Sequence, residues 1–236
     1  MMGKFRETVF WKNYKSFDKI CSNSSMWSTV DALLYWKLFN EYNFSNILEI
    51  GVYQGLTTGL MLETSNNIQS YTGIDIKLQL NKFNIIYNDY LKYTKFYEQS
   101  SRKFKFSGTY DFILIDGDHS YNGALTDLLT TSQLLSKNGI LAIDDYSLPD
   151  VAAAMEEFKK TTNLVPFMQL EQTEFWHYPE NNRSLFLDNL LTDTINNFIF
   201  LYNIDINNTV VLKAKTLMVF TNELDFFDQV LNFYDI

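Results

Sequence analysis

The sequence predicts an α/β protein built on a doubly wound, mostly parallel sheet, and two observations carry this prediction. Between residues 30 and 160, short apolar runs typical of buried strands alternate with segments of helical spacing. All nine glycines lie at or before Gly139 and all three prolines lie after it, which suits regular elements joined by tight turns. Strands that alternate with helices pair in parallel through right-handed crossovers.

The strands are predicted from apolar runs that end at polar residues. Residues 46–50 (NILEI), 70–75 (SYTGID) and 83–88 (FNIIYN) are the first three predicted strands. Residues 110–116 (YDFILID) give the strongest buried-strand pattern of the chain, and residues 139–146 (GILAIDDY) give another. These five runs would form the centre of the sheet.

The helices are predicted from apolar residues that recur on one face. Residues 30–43 and 56–63 are the first two, and residues 123–136 place several leucines on one side. Ser147 and Pro149 are typical of a helix start. The inner face of that last helix is predicted to be Val151, Ala154, Met155 and Phe158.

Composition narrows the classes of protein that the chain can belong to. The 236 residues are 46% hydrophobic and 20% charged, which predicts a folded core and argues against disorder. The 28 acidic and 19 basic residues give a net charge of −9, which disfavours a nucleic-acid substrate. The sequence has no apolar run of membrane-spanning length, no signal-peptide pattern and one cysteine, Cys21. These features predict a cytoplasmic protein that does not bind membranes.

Acidic residues stand at or near the end of every predicted strand of the middle region. Because the carboxyl ends of parallel strands form one edge of the sheet, where ligands bind, these carboxylates are expected there together. Like charges at one edge require a cation or hydrogen-bond donors. Taken singly, each could instead cap the helix that follows it. The residues are Glu49, Asp75, Asp89, Asp116 and the pair Asp144–Asp145.

The first strand-to-helix turn predicts a nucleoside ligand. Gly51 and Gly55 would let a ligand approach the backbone closely. The dinucleotide pattern G-x-G-x-x-G is not met, because Tyr53 occupies its second glycine position. Asp75, at the end of the second predicted strand, is placed where a carboxylate accepts hydrogen bonds from ribose hydroxyls. A nucleoside without a pyrophosphate fits these features better than a nicotinamide cofactor.

Three motifs occur in order along the chain: residues 47–61 (ILEIGVYQGLTTGLM), residues 115–121 (IDGDHSY) and residues 144–146 (DDY). Together they resemble the motifs of class I S-adenosylmethionine-dependent methyltransferases. The sequence is similar to metal-dependent O-methyltransferases of the catechol and macrolide-sugar type over about residues 30–160. The resemblance implies a Rossmann-like, seven-stranded sheet with helices on both faces, completed by an antiparallel hairpin at residues 163–178.

The same resemblance implies a function and a set of site residues. The expected cofactors are S-adenosylmethionine and Mg²⁺ or another divalent cation, and the expected acceptor is a small hydroxylated molecule such as a sugar or glycosylated metabolite. His119 would deprotonate the acceptor, and Asp116, Asp144 and Asp145 would bind the metal. The implied cofactor-binding residues are Glu49, Gly51, Tyr53, Gly55, Thr57, Asp75 and Asp89.

Several structural alternatives stay open at the level of sequence. Asp116 could be a helix cap and His119 a surface residue, while Asp118 is better explained as a turn residue than as a fourth ligand. His177 is predicted to be a surface residue. Three of the four tryptophans are predicted to line the core or the substrate wall; they are Trp27, Trp36 and Trp176. A non-catalytic protein that uses this fold to bind a partner is the alternative function.

The chain is predicted to have three parts. An N-terminal helical segment covers residues 1–45, the cofactor-binding core covers residues 46–182, and an extension covers residues 183–236. The extension is acidic and is predicted to contain helices at 188–201 and from 222, with a strand at 209–220. It could cover the site or form a homo-oligomer contact.

Overall fold

The fold was determined as a computed structural model that describes residues 7–10, 12, 29–42, 44–170 and 173–177. Its helices are α1 (Thr29–Tyr42), α2 (Leu56–Thr64), α3 (Asn81–Ile86), α4 (Tyr121–Thr131) and α5 (Pro149–Thr161). Its strands are β1 (Asn46–Ile50), β2 (Ser70–Asp75), β3 (Thr94–Glu98), β4 (Tyr110–Ile115), β5 (Leu135–Ile143), β6 (Val165–Leu170) and β7 (Thr173–His177). Short 3₁₀ turns cover Asn88–Tyr93, Ser101–Lys103 and Ser132–Leu134.

The seven strands form one sheet in the order β3-β2-β1-β4-β5-β7-β6. Strands β1 to β5 pair in parallel, and β6 and β7 form the antiparallel hairpin expected near residues 163–178. The strand order reverses between β1 and β4, so the switch point at their carboxyl ends is the expected ligand site. The predicted doubly wound sheet is confirmed.

Two apolar clusters cover the two faces of the sheet. Neighbouring residues of one strand alternate between them: Ile47 and Phe112 belong to one cluster, and Leu48 and Ile113 belong to the other. Helices α1 to α3 supply the first cluster, whereas α4 and α5 supply the second. The inner face predicted for α5 is buried as expected.

The predicted third strand, residues 83–88, is wrong. This run lies in α3 and the turn that follows, and the third strand is β3, Thr94–Glu98. Phe83 and Tyr87 are buried and stack, whereas Ile85 between them is 80% exposed. Burial at a spacing of four residues is the pattern of a helix. The apolar content of the run concealed that spacing.

The boundary between α4 and β5 also differs from the prediction. The helix ends at Thr131 instead of residue 136, and β5 begins at Leu135 instead of Gly139. Residues 137 and 138 are polar and exposed, and the pairing of β5 with β4 shifts register beside them. The start of this strand therefore lacks the apolar pattern by which a buried strand is predicted. The strand ends at Ile143, so Asp144 to Tyr146 lie in the loop after it.

Other predictions fall outside the described residues. They include the whole extension from residue 183, Cys21 and Trp27. Within the part of the chain that the structure describes, no helix is both long enough and apolar enough to cross a membrane.

Candidate functional site

A cavity of about 460 Å³ opens at the carboxyl ends of the parallel strands. This volume lies within the range of about 300–1,000 Å³ that is usual for small-molecule sites. Its lining comes from four segments, each at or just beyond the carboxyl end of one of the strands β1 to β4. The lining residues are Ile50, Gly51, Ile74, Asp75, Ile76, Gln99, Ser100, Ser101, Arg102, Asp116, Gly117, Asp118 and His119.

The turn after β1 has a backbone that requires glycine. Gly51 has a φ of 91°, and a Cβ at this residue would lie 1.7 Å from the carbonyl oxygen of Asp116. Gly55 has a φ of 77° and packs against the ring of Phe83. Tyr53, between them, also adopts a positive φ of 47°, which is uncommon for a non-glycine residue. The turn therefore presents backbone directly beside the segment that follows β4.

Asp75 connects this turn to the cavity. Its Oδ2 accepts a hydrogen bond of 2.7 Å from the backbone N–H of Tyr53, and its Oδ1 accepts one of 2.7 Å from Lys77. An ionised carboxylate offers about four acceptor positions, so Asp75 keeps capacity for further donors. A residue that lines the cavity and retains this capacity is placed to accept hydrogen bonds from the hydroxyls of a ligand, and its role in binding ribose stays a prediction.

Glu49 lies below the turn, on the core side, and is 1% exposed. Its Oε2 accepts hydrogen bonds from the hydroxyls of Thr58, at 2.7 Å, and Tyr71. Burial raises the pKa of Glu49 to about 8, against the lowering effect of both hydroxyls. Glu49 therefore links β1, β2 and α2 beneath the turn and is not one of the residues that line the cavity. Thr57, at the start of α2, is not one of them either.

Asp116, His119 and Asp145 form an acidic cluster at one side of the cavity. The Nε2 atom of His119 lies 3.2 Å from Oδ1 of Asp116 and 3.4 Å from Oδ2 of Asp145. One potential ligand atom from each residue lies within 4.8 Å of the other two. These three residues are brought together from the loops after β4 and β5, which are neighbouring strands.

The pKa values in this cluster shift in ways that follow from its crowding. Burial raises the pKa of Asp116 to about 7, and Asp144 and Asp145 raise it too, whereas the hydrogen bond with His119 lowers it. The hydrogen bond with Asp116 raises the pKa of His119, and burial opposes that shift. The carboxylates thus repel one another and share one imidazole as a compensating group.

Asp144, the remaining predicted metal ligand, lies beside this cluster. Its Oδ1 accepts a hydrogen bond of 2.9 Å from the backbone N–H of Asp145, which has a φ of 55°. Asp118 has the turn role favoured by the sequence, because its Oδ1 accepts a hydrogen bond from the backbone N–H of Ser120 and its Oδ2 lies 2.6 Å from Arg102.

The prediction for Asp89 depended on the wrong third strand. Asp89 lies in the 3₁₀ turn Asn88–Tyr93, before β3, and is not one of the residues that line the cavity. The residues that follow β3 and do line it are Gln99, Ser100, Ser101 and Arg102. The sequence signal for these residues is the polar run that follows TKFYE. It was missed because the third strand was predicted at residues 83–88 instead of at TKFYE.

The described tryptophans are core residues. Trp36 and Trp176 are buried, and Trp176 packs edge-on against Phe158 while its indole N–H donates to Glu174. The prediction that these residues line the core is confirmed for both.

Residues 48–146 match the family model described as a methyltransferase domain. This match supports a class I S-adenosylmethionine-dependent methyltransferase domain in this part of the chain. The match includes the turn after β1, Asp75, Asp116 and His119, and it ends at Tyr146, just beyond the acidic pair. The predicted family and fold are confirmed.

The comparisons also give relatives of this domain. Over 113 residues the chain is 28% identical to the uncharacterized protein R132 of Acanthamoeba polyphaga mimivirus. That match covers 42% of this chain and 50% of the relative, so the chain spans half the length of the curated relative it matches.

Solved structures of methyltransferases share the fold at low sequence identity. The O-methyltransferase TomG of Streptomyces achromogenes, in complex with S-adenosylmethionine, has a TM-score of 0.54 and 10% identity, covering 73% of this chain and 90% of its own. The O-methyltransferase of Bacillus cereus, in complex with S-adenosylhomocysteine, has a TM-score of 0.53 and 12% identity, covering 71% and 89%. At these identities the likeness concerns the fold.

Proposed function

We propose that this methyltransferase domain transfers the methyl group of S-adenosylmethionine to a hydroxyl of a small acceptor, such as a sugar or glycosylated metabolite. The observation that carries the proposal is that one cavity is lined by Asp75 and also by Asp116 and His119. A ribose-binding carboxylate and a proton acceptor then face the same space. Methyl donor and acceptor need this proximity.

The turn after β1 would bind the cofactor through its backbone. Gly51 lines the cavity, and its lack of a side chain leaves room for a ligand close to the main chain. Asp75 would accept hydrogen bonds from the ribose hydroxyls while its own position is fixed by the N–H groups of Tyr53 and Lys77. Glu49, Thr57 and Gly55 would support the turn from the side of α2.

The donor set of the acidic cluster fits a hard divalent cation. Asp116 and Asp145 offer carboxylate oxygens within 4.8 Å of each other, and Asp144 is adjacent in sequence. Oxygen donors with room for water are typical of Mg²⁺ sites. We propose Asp116, Asp144 and Asp145 as the residues that hold the ion. When bound, such an ion would lower the pKa of the acceptor hydroxyl.

His119 would remove the acceptor proton. Because Nε2 contacts Asp116 and Asp145, Nδ1 would accept the hydroxyl proton, the acceptor oxygen would form a bond to the methyl carbon, and the carbon–sulfur bond would break with its electron pair moving to sulfur. S-adenosylhomocysteine, a methyl ether and a protonated imidazole result. Asp116 and Asp145 would stabilise that positive charge, because both lie within 3.4 Å of Nε2.

Two measurements on the full chain test the proposal. We expect calorimetry to detect binding of S-adenosylhomocysteine, and Asp75→Ala to weaken it. We then expect label from methyl-labelled S-adenosylmethionine to pass to members of a panel of sugars and phenols in the presence of Mg²⁺. Chelation should abolish that transfer and largely preserve cofactor binding.

Each failure has a distinct meaning. Absence of binding at millimolar S-adenosylhomocysteine would overturn the proposal entirely. Binding without transfer to any member of the panel would favour the alternative of a non-catalytic binding protein. Transfer that persists after chelation would remove the cation from the proposal and leave the O-methyltransferase.

A further inference from the structure

Arg102 and Asp118 form an ion pair between two of the segments that line the cavity. The Nη2 atom of Arg102 lies 2.6 Å from Oδ2 of Asp118. Both residues line the cavity, and the proposed reaction uses neither of them. Arg102 belongs to the 3₁₀ turn Ser101–Lys103 after β3, whereas Asp118 belongs to the segment between β4 and α4. The pair therefore joins segments that follow two different strands.

The two strands that the pair joins are not neighbours in the sheet. In the order β3-β2-β1-β4, two strands lie between them, so three spacings of about 4.8 Å, or about 14 Å, separate β3 from β4. The segments at the carboxyl ends of β2 and β1 contribute Asp75 and Gly51 to the same cavity. The contact between Arg102 and Asp118 thus links the two outer members of this row of four segments and closes the row into a ring.

Each member of the pair is held in place by its own segment. Oδ1 of Asp118 accepts a hydrogen bond of 3.0 Å from the backbone N–H of Ser120. A Cβ at Gly123 would overlap the Asp118 side chain, so this side chain packs directly against α4. The turn that carries Arg102 is closed by backbone hydrogen bonds, and the ring of Phe104, directly after the turn, packs against an aromatic ring of β3. Two fixed segments are therefore linked by a contact between charged groups.

The exposure of the pair indicates when this contact matters. Of the side chains, 47% of Arg102 and 52% of Asp118 are exposed, and at that exposure an ion pair contributes little to stability because water and salt screen it. A ligand in the cavity would exclude part of this water, and the attraction between two charges rises as their surroundings become less polar. The contact should therefore be stronger in the complex than in the free protein, and this difference adds to the affinity for the ligand.

We infer that Arg102 and Asp118 are a positioning pair that closes the ring of segments around the nucleoside part of S-adenosylmethionine and so strengthens its binding. This inference rests on the proposed function, in which the cavity receives that cofactor. The pair acts through the contact between its two members, so removal of either charge should have the same effect. Affinity for the cofactor should change more than the rate of methyl transfer from the bound complex.

The test measures the Kd of full-chain variants for S-adenosylhomocysteine by calorimetry, at low salt and at about 1 M salt. This ligand carries no net charge near neutral pH, so the overall charge of the protein affects its binding little. We expect Arg102→Gln and Asp118→Asn each to raise Kd by about 3- to 10-fold at low salt. The difference from wild type should shrink at high salt, because the charges are then screened. The KM for S-adenosylmethionine should rise by a larger factor than kcat falls.

A double-mutant cycle tests whether the two residues act through each other. We expect the variant with both changes to bind about as weakly as either single variant, because all three lack the same contact. Arg102→Lys keeps the positive charge and should retain most of the affinity. Effects that add, or a far larger loss in Arg102→Gln than in Asp118→Asn, would show that Arg102 acts on the ligand directly and would overturn the inference.

Lys160→Gln and Glu157→Gln are the matched controls. Lys160 and Glu157 form an exposed ion pair of 2.8 Å on α5, and neither is one of the residues that line the cavity. The two substitutions remove the same charges, and we expect both to leave Kd unchanged at either salt concentration. An equal rise in Kd in these controls, or an unchanged Kd in Arg102→Gln and Asp118→Asn, would overturn the inference while the proposed function stands. Absence of binding by the wild-type chain would overturn both.

Discussion

The two ends of β4 each carry an aspartate, and the two carboxylates are treated in opposite ways. Asp111, at the start of the strand, accepts hydrogen bonds from the N–H and hydroxyl of Ser45, the N–H of Asn46 and the hydroxyl of Ser136. Partial burial acts to raise the pKa of Asp111, yet these donors outweigh it and lower the pKa. This aspartate joins the starts of three strands.

Asp116, just beyond the other end, has like charges for neighbours. Burial and the nearby Asp144 and Asp145 raise its pKa to about 7, and the contact with His119 compensates only in part. The first carboxylate is satisfied by donors built into the fold. The second is placed where an added cation or proton would relieve repulsion, which is the expected difference between a structural group and one arranged for chemistry.

The largest expected effect concerns His119, whose imidazole contacts Asp116 at the carboxyl end of β4 and has no counterpart beside Asp111 at the amino end. We expect His119→Ala to lower kcat by about 10²–10⁴-fold, the usual contribution of a general base. Binding of S-adenosylhomocysteine should change little, because the contacts of Asp75 are unaffected. Added imidazole should restore part of the rate of the variant and should leave the rate of the wild-type protein unchanged. Retention of full activity would remove His119 from the mechanism.

The parts of the site that the sequence could predict are those that follow strong strand patterns. Asp75, Asp116 and Asp145 end or follow runs that are correctly predicted as strands, and parallel pairing then places all three at one edge. His119 follows from the motif around Asp116. No packing information is needed for these residues, because the sheet topology brings them together.

The parts that the sequence could not predict depend on edge strands and on tertiary packing. In β3, Lys95, Tyr97 and Glu98 are exposed, so this outer strand lacks the apolar run by which a buried strand is found. The error moved the expected ligand contact to Asp89 and concealed Ser101 and Arg102. Asp127 of α4 is buried, at 3% exposure, and no sequence signal predicts this, because a lone acid within a helix is normally on the solvent side.

The next effect contrasts the two aspartates of β4 directly. We expect Asp116→Asn to lower methyl transfer by more than about 10²-fold, since even outer partners of a metal site cost 10–100-fold. Its Tm should stay the same or rise, because the change removes a repelling charge. Asp111→Ala should keep activity and lose on the order of 1–3 kcal/mol of unfolding free energy, because several donors lose their acceptor.

Thermal unfolding and a methyl-transfer assay on both variants check this contrast. The comparison fails if Asp111→Ala loses activity at a temperature where it is folded, or if Asp116→Asn is active but unstable. The first result would give Asp111 a part in activity, and the second would mean that the shifted pKa of Asp116 reflects structure and not function.

The smallest expected effect is the pH dependence of stability that Glu49 introduces. Its pKa is about 8 in the folded protein, above the ordinary 4.5, so the folded state keeps a proton that the unfolded state releases. The free energy of unfolding should therefore fall as the pH rises from 5 to 9, by up to a few kcal/mol. Glu49→Gln stays neutral throughout and should lose less stability over that range.

Urea unfolding at pH 6 and pH 9 measures this difference, with Glu156→Gln as the control. Glu156 is an exposed acid of α5, paired with Lys159 at 2.7 Å, and its pKa is lowered, so its loss should not reduce the fall in stability. Subtracting the wild-type values removes the titration of Asp116, which is common to all three proteins. Equal pH slopes in Glu49→Gln and wild type would show that Glu49 is ionised in the folded protein. A buried negative charge would then lie beneath the turn after β1, in addition to the carboxylates of Asp75 and Asp116 that line the cavity.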